Sequence, residues 1–431
     1  MTITGYNSYI YSGLYTNNTT FSSLTNQDLL VNTTQTINNI KTQQKSQLAT
    51  ALKDVRDSFN QLGIQANSIS TSKNGNIFDK RGAVSADPTV LTAKAADKAT
   101  MGSYAIEVKQ LAKANETTGN ALDANAVTSI TAGSNTFGID IGGVTKNVSV
   151  DITATDTNKT ALTKMAKAIN EANAGVAAKV VNETVDGVAK SKIVLTSAQT
   201  GTENAFSLTS GSGNILATTN AGNETTVAQN ANYVVNGQSF VAQSNNIKLD
   251  NGKLNVTLNK TTDPGTTVDL NVKQDLKAIS SQVTDFVKQY NNTVNKLNED
   301  DGLINKSVLR GLTSFANNNR YKLSDIGVTV NADKTLNIDQ TKLEKALTSD
   351  FDKTKNLLGG VNGLASAVGE KARSIVSASM GSLVDNASMA KQQEAVTAQV
   401  KQQLNEYMYN SNMNMFNLKS FSSGSFLNTY I

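Results

Sequence analysis

Apolar side chains near both ends of the chain recur every three or four residues, the spacing that places them on one face of an α-helix. The first such stretch begins at about residue 36, and Gly63 is predicted to end it. A second begins after residue 274 and ends at Gly302. Further helices are predicted over about 159–174, 341–380 and 385–418.

Between the terminal helical stretches the apolar positions alternate with polar ones, which is typical of half-buried strands. One hairpin is predicted from Phe137 to Val150 across Gly142-Gly143. A second runs from Ile247 to Leu258 across an Asp-Asn-Gly turn. Other strands are predicted at residues 104–108, 268–272, 326–330 and 336–338.

This order of elements predicts an α+β fold, in which a helical, coiled-coil-like stalk and legs from both termini carry inserted antiparallel β head domains. Four domains are expected. They are a terminal helical leg domain (1–45 plus 385–431), a helical stalk domain (46–85 plus 274–384), a β head domain (86–115 plus 228–273) and a nested outer β head domain (116–227).

Composition removes most enzyme classes. The 431 residues include no His, Cys or Trp, so Ser-His-Asp and Cys-His catalysis, His- or Cys-ligated metals and disulfides are excluded. No catalytic, cofactor-binding or metal-binding residues are predicted, and the protein is not expected to be an enzyme. The net charge of +4 and the 5% aromatic content give no indication of nucleic-acid binding.

Targeting signals are also missing from the sequence pattern. No stretch approaches the roughly 20 apolar residues that a membrane-spanning helix needs. The first 40 residues carry one charge, Asp28, and lack the basic and apolar regions of a secretory signal peptide. If the protein leaves the cell, we expect another export route.

The terminal helical stretches have weak apolar faces. Polar residues interrupt them, among them Gln44 in the first stretch and Gln399, Gln402 and Gln403 in the last. Such a stripe buries little apolar area in a monomer. Two interpretations remain: a monomeric coiled coil, or ends that become ordered only against other copies or a partner, with Asn and Gln setting the register.

Five specific strings occur in order along the chain, at residues 102–114, 195–206, 233–247, 286–291 and 327–339. Together they resemble the flagellar filament-capping, hook-associated protein 2 family. The ends resemble the family less closely. Ser12-Gly13-Leu14 is similar to its amino-terminal motif, but Tyr15 replaces an Asp. The last 40 residues keep the Tyr407 to Met413 spacing and a Phe-Leu pair near the end.

The resemblance implies a structural cap at the distal tip of the bacterial flagellar filament. Such a protein is secreted unfolded through the type III export apparatus with an export chaperone, and forms a ring-like homo-oligomer. It retains flagellin and promotes its folding and insertion, and its heads are expected to be able to contact host surfaces. The expected leg contacts to other copies and flagellin are Ile37, Ile40, Leu48, Val396, Val400, Leu404 and Tyr407.

In the same scheme Leu276, Val283, Phe286 and Tyr290 are expected to lie in the core of the stalk. Two alternatives stay open at this point. One is another axial flagellar protein, either from the hook-filament junction or flagellin-like, which should lack the strings at 102–114 and 286–291. The other is a surface adhesin, which the Asn- and Thr-rich β regions favour and the lack of a signal peptide disfavours.

Overall fold

A computed structural model describes residues 26–299 and 302–410. The chain divides into two compact units. The first unit combines the described residues up to Lys80 with those from Asp275 onward, and the second is the continuous segment Arg81–Gln274. The second unit is therefore inserted into the first.

Helices make up most of the first unit and occur twice in the second. In chain order they are α1 (Asn26–Ile69), α2 (Asn158–Ala172), α3 (Ile215–Thr219), α4 (Leu276–Asn298), α5 (Lys306–Asn318), α6 (Arg320–Asp325), α7 (Gln340–Ser349), α8 (Phe351–Gly359), α9 (Leu364–Ser377), α10 (Met380–Leu383) and α11 (Asn386–Asn410).

Strands make up about half of the second unit. Short 3₁₀ turns occupy Ile77–Asp79 in the first unit and Thr202–Asn204 and Asp250–Gly252 in the second. The strands are β1 (Arg81–Ser85), β2 (Leu91–Ala95), β3 (Gly102–Gln110), β4 (Glu116–Thr118), β5 (Leu122–Asp123), β6 (Gly133–Ile141), β7 (Val144–Ile152), β8 (Val176–Val185), β9 (Val188–Ser197), β10 (Phe206–Ser210), β11 (Glu224–Thr226), β12 (Ala231–Val235), β13 (Gln238–Ala242), β14 (Asn246–Leu249), β15 (Leu254–Leu258), β16 (Val268–Gln274), β17 (Val328–Val330) and β18 (Leu336–Ile338).

The first unit is a helical assembly around one apolar core. The carboxy-terminal half of α1 packs against α4 and α9, and the β17–β18 hairpin packs beside α4. As predicted for the stalk core, Val283, Phe286 and Tyr290 are buried there, and Leu276 packs at its edge.

The prediction that Gly63 ends the first helix is wrong, because α1 continues through it to Ile69. A glycine inside a helix costs about 1 kcal/mol relative to alanine. Here it lies at a close helix contact, where a Cβ would be 3.5 Å from Ala372 Cβ of α9. One turn further on, a Cβ at Gly369 would lie 3.3 Å from Ala66 Cβ. Small residues on both helices let the two backbones approach, and this packing outweighs the helix-breaking tendency.

The single helical stretch predicted over 341–380 is three helices in the structure. A break at Asp350 separates α7 from α8, and the side chain of Asp350 caps α8 by accepting from the backbone N–H of Lys353. The turn at Gly360–Gly363 separates α8 from α9. The apolar spacing continued through these breaks, so periodicity alone did not reveal them.

The second unit contains two separate apolar clusters. The flanking cluster is formed by buried side chains of residues 90–112 and 231–272, and the nested cluster by those of residues 130–221. Two antiparallel sheets, β1-β16-β3-β12-β13 and β14-β15-β2, supply strands to the flanking cluster. The nested cluster lies between α2 and the sheets β10-β6-β7 and β11-β4-β9-β5, with β8 paired to β9.

The hairpins predicted in this unit are confirmed. Strands β6 and β7 pair antiparallel from Gly133↔Ile152 to Ile141↔Val144, with both glycines of the turn at positive φ. Strands β14 and β15 pair across Asp250–Gly252. Helices at both ends and antiparallel sheets between them give the predicted α+β fold.

Carboxylates in turns accept hydrogen bonds from neighbouring threonines. Asp250 accepts from the backbone N–H of Thr100 at 2.7 Å and from its hydroxyl at 2.8 Å. These two bonds hold the pKa of Asp250 below its ordinary value of 3.8, and the bond from the Thr100 backbone has the larger effect. The pKa values of Asp87 and Asp333 are lowered chiefly by the Thr89 and Thr335 hydroxyls.

Acid is therefore expected to destabilise the fold. The pKa of each of these carboxyls is lower in the folded chain than in the unfolded one, so its stabilisation is full above the ordinary pKa of 3.8 and disappears as the pH falls below it. Thermal unfolding between about pH 6 and pH 3 should show a falling midpoint. Asp250→Asn should flatten this fall, whereas Asp151→Asn, on an exposed position of β7, should not. A pH dependence identical in both variants would contradict the assignment.

Candidate functional site

The terminal helices carry the candidate assembly surface, and α1 changes character along its length. Its carboxy-terminal half presents a strict alternation of three- and four-residue steps to the core of the first unit. The buried residues on this seam are Leu48, Leu52, Val55, Phe59, Leu62, Ala66 and Ile69. This half of α1 is held by the chain's own side chains.

Toward the amino terminus a polar residue interrupts the seam. Gln44 occupies the next seam position and is buried, with 7% of its surface exposed, and Ile40 is half-buried. A buried amide at a heptad position stabilises less than an apolar side chain but restricts which register can form. Helix α1 has 44 residues and so extends for about 66 Å.

Helix α11 has the same mixed character. Met389 belongs to the core of the first unit, Val400 is buried with 8% exposure, and Val396 is half-buried. Most of the other described side chains of this helix are polar, and none of these others is buried. Each terminal helix thus contacts the folded core through a few apolar side chains and carries polar side chains at most of its other described positions.

The predicted leg contacts fall into three groups. Leu48 lies in the core of the first unit, and Val400 is also buried within the chain. Ile40 and Val396 are accessible. Ile37, Leu404 and Tyr407 lie in α1 and α11, but their side chains are outside the described part of the structure, as are the motifs at residues 12–15 and 413–427.

Polar contacts inside the helical unit were not predicted from the sequence. The hydroxyls of Ser58 in α1 and Thr293 in α4 are 2.8 Å apart in a buried pair. The guanidinium of Arg56 donates to the carbonyl of Ala378, just past the end of α9, at 2.7 Å. These residues lie beside the apolar stripes of their helices and not on them, so the helical spacing gave no signal of such contacts.

Tyr290 is the largest fully buried side chain in the described residues. Its ring packs beside that of Phe286, with centroids 6.5 Å apart. The phenolic oxygen has no hydrogen-bond partner among the described residues, and burial raises the pKa of the hydroxyl. A neutral, unpaired hydroxyl in an apolar core indicates a packing role for this side chain.

The nested cluster presents a polar face on the sheet β10-β6-β7. Ser134 and Ser149 approach to 2.8 Å across the strands, and Thr145 donates to Asp140 at 2.9 Å. Many residues at 204–225 are also exposed. These surfaces offer hydroxyl, amide and carboxylate groups for contact with other molecules.

Residues 26–299 and 302–410 contain no group of three or more acidic side chains placed to hold a metal ion. None of the described helices combines the length and apolar character needed to cross a membrane. The pair of terminal helices, with the inserted β unit between them in sequence, is the candidate site.

Family models match both parts of the chain that flank the nested cluster. The model described as "Flagellar hook-associated protein 2 N-terminus" matches residues 16–115. The model described as "Flagellar hook-associated protein 2 C-terminus" matches residues 228–307 and 303–419. The chain belongs to the flagellar hook-associated protein 2 family.

Curated members of the hook-associated protein 2 family are similar over most of their length. The B-type flagellar hook-associated protein 2 of Pseudomonas aeruginosa is 27% identical, covering 76% of this chain and 77% of the relative. The flagellar hook-associated protein 2 of Escherichia coli K12 is 25% identical, covering 67% of this chain and 68% of the relative.

A solved structure of the family shares the architecture. The D1-D2-D3 domains of the flagellar cap protein FliD from Escherichia coli superpose with a TM-score of 0.56 and 26% identity. The match covers 77% of this chain and 97% of that one. The family match excludes the adhesin alternative as the primary identity and agrees with the strings found in the sequence.

Proposed function

We propose that this protein caps the distal tip of the bacterial flagellar filament, where it retains flagellin and promotes its folding and insertion during elongation. The observation that carries the proposal is the match of both family models, together with the shared architecture of the E. coli cap protein. The chain acts as a scaffold in this role and catalyses no covalent reaction.

Assembly would use the terminal helices. A helix whose seam is apolar where it meets its own core, carries a buried amide at Gln44 and continues with Ile40 is suited to pack in one register against further helices. We propose a ring-like homo-oligomer with leg contacts through Ile37, Ile40, Leu48, Val396, Val400, Leu404 and Tyr407. Of these, Ile40 and Val396 are the described side chains with accessible surface.

The proposal includes a route and a location. The protein would leave the cell through the flagellar type III export apparatus, with an export chaperone, and act outside the cell at the flagellum tip. Its lack of cysteine means that no disulfide can form during such passage. Contact of the β heads with host surfaces and the four-domain division stay predictions.

Deleting the gene is expected to abolish filament growth and to release monomeric flagellin into the medium, because nothing would hold subunits at the tip. Adding the purified chain to the deleted cells should restore filaments. The measurement is the length of filaments by electron microscopy, with soluble flagellin in the medium quantified by immunoblot.

A leg variant separates assembly from the general fold. Ile40→Glu with Val396→Glu should fail to restore filaments while keeping the helical circular dichroism of the parent, because both side chains are accessible and lie outside the main core. Gln43→Glu, exposed on the same helix, is the matched control and should restore growth. Normal filaments in the deleted strain would refute the cap function, whereas full rescue by the double variant would refute only the leg contacts.

A further inference from the structure

The flanking and nested clusters of the second unit share no apolar residue. The chain passes between them twice, near Lys113 and near Gln229. At this point the backbone N–H of Lys113 donates to the Gln229 carbonyl at 2.9 Å, and the Gln229 N–H donates back to Lys113 at 3.1 Å. The covalent connection is therefore a narrow ribbon of two antiparallel segments. A two-stranded element of this kind has little stability of its own.

A further segment also joins the two clusters. The loop Thr200–Asn204 leaves the nested cluster after β9 and contacts Asn230 and Gln243, which adjoin strands of the flanking cluster. Its Gly201 N–H also donates to the Lys113 carbonyl of the ribbon, at 3.1 Å. We call this segment the latch loop. The Thr200 hydroxyl donates to the backbone carbonyl of Gln243 at 2.7 Å, and the Glu203 N–H donates to the Gln243 side-chain oxygen at 3.1 Å.

The same loop also binds Asn230, which follows the ribbon. The backbone N–H of Thr202 donates to the Asn230 side-chain oxygen at 2.7 Å, and the Thr202 hydroxyl donates to the same oxygen at 3.1 Å. Within the loop, the Asn204 amide donates to the Thr200 carbonyl at 2.8 Å and so holds the turn in shape.

Gly201 makes this contact sterically possible. It has a φ of +97° and is buried against Gln243. A Cβ at this position would lie 2.6 Å from the Gln243 carbonyl oxygen and 2.7 Å from its Cα. Both are backbone atoms, which cannot move aside as the end of a flexible side chain could. Any larger residue would have to push the loop away from the flanking cluster.

The chemistry of the latch differs from that of the clusters it joins. Each cluster is held together by buried apolar side chains, and opening a cluster is unfavourable because it exposes these side chains to water. The latch is held by hydrogen bonds from loop residues such as Thr202 and Glu203 that are exposed to solvent. In water such bonds are exchanged for bonds to solvent at small net cost. The latch can therefore open while both clusters stay folded.

We propose that the latch loop is a conformational device that fixes the orientation of the nested cluster on the flanking cluster. Its release lets the nested cluster rotate about the ribbon at Lys113 and Gln229. The second unit thus has a closed state, held by Gly201 and Gln243, and an open state with the same two cores.

The chain has no cysteine, so two introduced cysteines report this orientation without interference. Lys94→Cys on β2 and Lys167→Cys on α2 place spin labels at exposed positions of the flanking and nested clusters. The labelled full-length chain, diluted with unlabelled chain so that oligomers carry one labelled copy, should give one narrow distance distribution by electron–electron double resonance.

Gln243→Ala removes the side-chain oxygen that accepts from the Glu203 N–H. Gly201→Ala places a Cβ against the Gln243 backbone and so displaces the latch loop. Each is expected to broaden the distance distribution at least twofold or to add a second peak. Gln238→Ala, on exposed β13 of the same sheet, is the matched control and should leave the distribution narrow. Circular dichroism and thermal unfolding should be unchanged in Gln243→Ala, which shows that both cores stay folded. A distribution as narrow in Gln243→Ala as in the parent would overturn the proposal.

Discussion

Replacing Phe286 by alanine is expected to lower the free energy of unfolding of the first unit by about 3–5 kcal/mol. The ring is 1% exposed and lies in the single apolar core that joins α1, α4 and α9. Removing it loses the transfer free energy of the aromatic ring and leaves a cavity, because the helices around it are anchored by many other buried residues and cannot collapse inward.

Urea unfolding followed by far-ultraviolet circular dichroism measures this loss, since most of the described helices lie in the first unit. The two units need not unfold together, so the helical signal is the appropriate one. Lys288→Ala, exposed on the same helix, should change the free energy of unfolding by no more than about 0.5 kcal/mol.

Tyr290→Phe provides a second comparison in α4. Because its buried hydroxyl has no hydrogen-bond partner in the described part of the chain, removing that oxygen should leave the stability unchanged or raise it.

A loss below about 1 kcal/mol for Phe286→Ala would show that the core can repack and would contradict the cavity argument.

Gly359→Ala is expected to destabilise the first unit by about 1–3 kcal/mol, through overpacking. Gly359 ends α8, and its carbonyl accepts from the backbone N–H of Thr71 at 2.7 Å. A Cβ would lie 2.7 Å from Cε2 of Phe78 and would collide with the carbonyl of Ile69 at the end of α1. Because the closest obstacle is backbone, relief requires α8 and α1 to move apart.

Gly381→Ala is the matched control. It lies in α10, and no heavy atom within 4 Å would meet its Cβ. This substitution should raise the stability by about 0.4–1 kcal/mol, because alanine reduces the conformational freedom of the unfolded chain. Unfolding midpoints in urea for the two variants should therefore move in opposite directions. A shift in the same direction would contradict the predicted steric conflict at Gly359.

The sequence predicted elements best where their spacing is strong and local. The β6–β7 hairpin combines alternating apolar positions with a Gly-Gly turn, and α4 has nearly three heptads with a capping Asp275. Gly63 was misread because a glycine at a close helix contact and a glycine past a helix end look the same in one sequence. Only the partner helix, more than 300 residues away in the chain, distinguishes them.

The candidate site was predicted less completely. Spacing shows which face of a helix is apolar, but it does not show what covers that face. Leu48 and Ile40 lie on the same predicted stripe, yet the chain's own core covers Leu48 and leaves Ile40 accessible. The latch loop had no periodic signal at all, because its hydrogen bonds join residues that are far apart in the sequence and individually unremarkable in type.

The insertion of the second unit into the first has a consequence for the order of folding. The backbone N–H of Asp275 donates to the carbonyl of Lys80 at 3.2 Å, so the insertion begins and ends at neighbouring points. The second unit is one continuous segment and can fold once that segment is free. The first unit must wait until α4 and α9 emerge to meet α1, and loop closure over the insertion costs little once the inserted unit has brought its ends together. When the chain emerges with its amino terminus first, the β unit therefore finishes folding before the helical unit into which it is inserted.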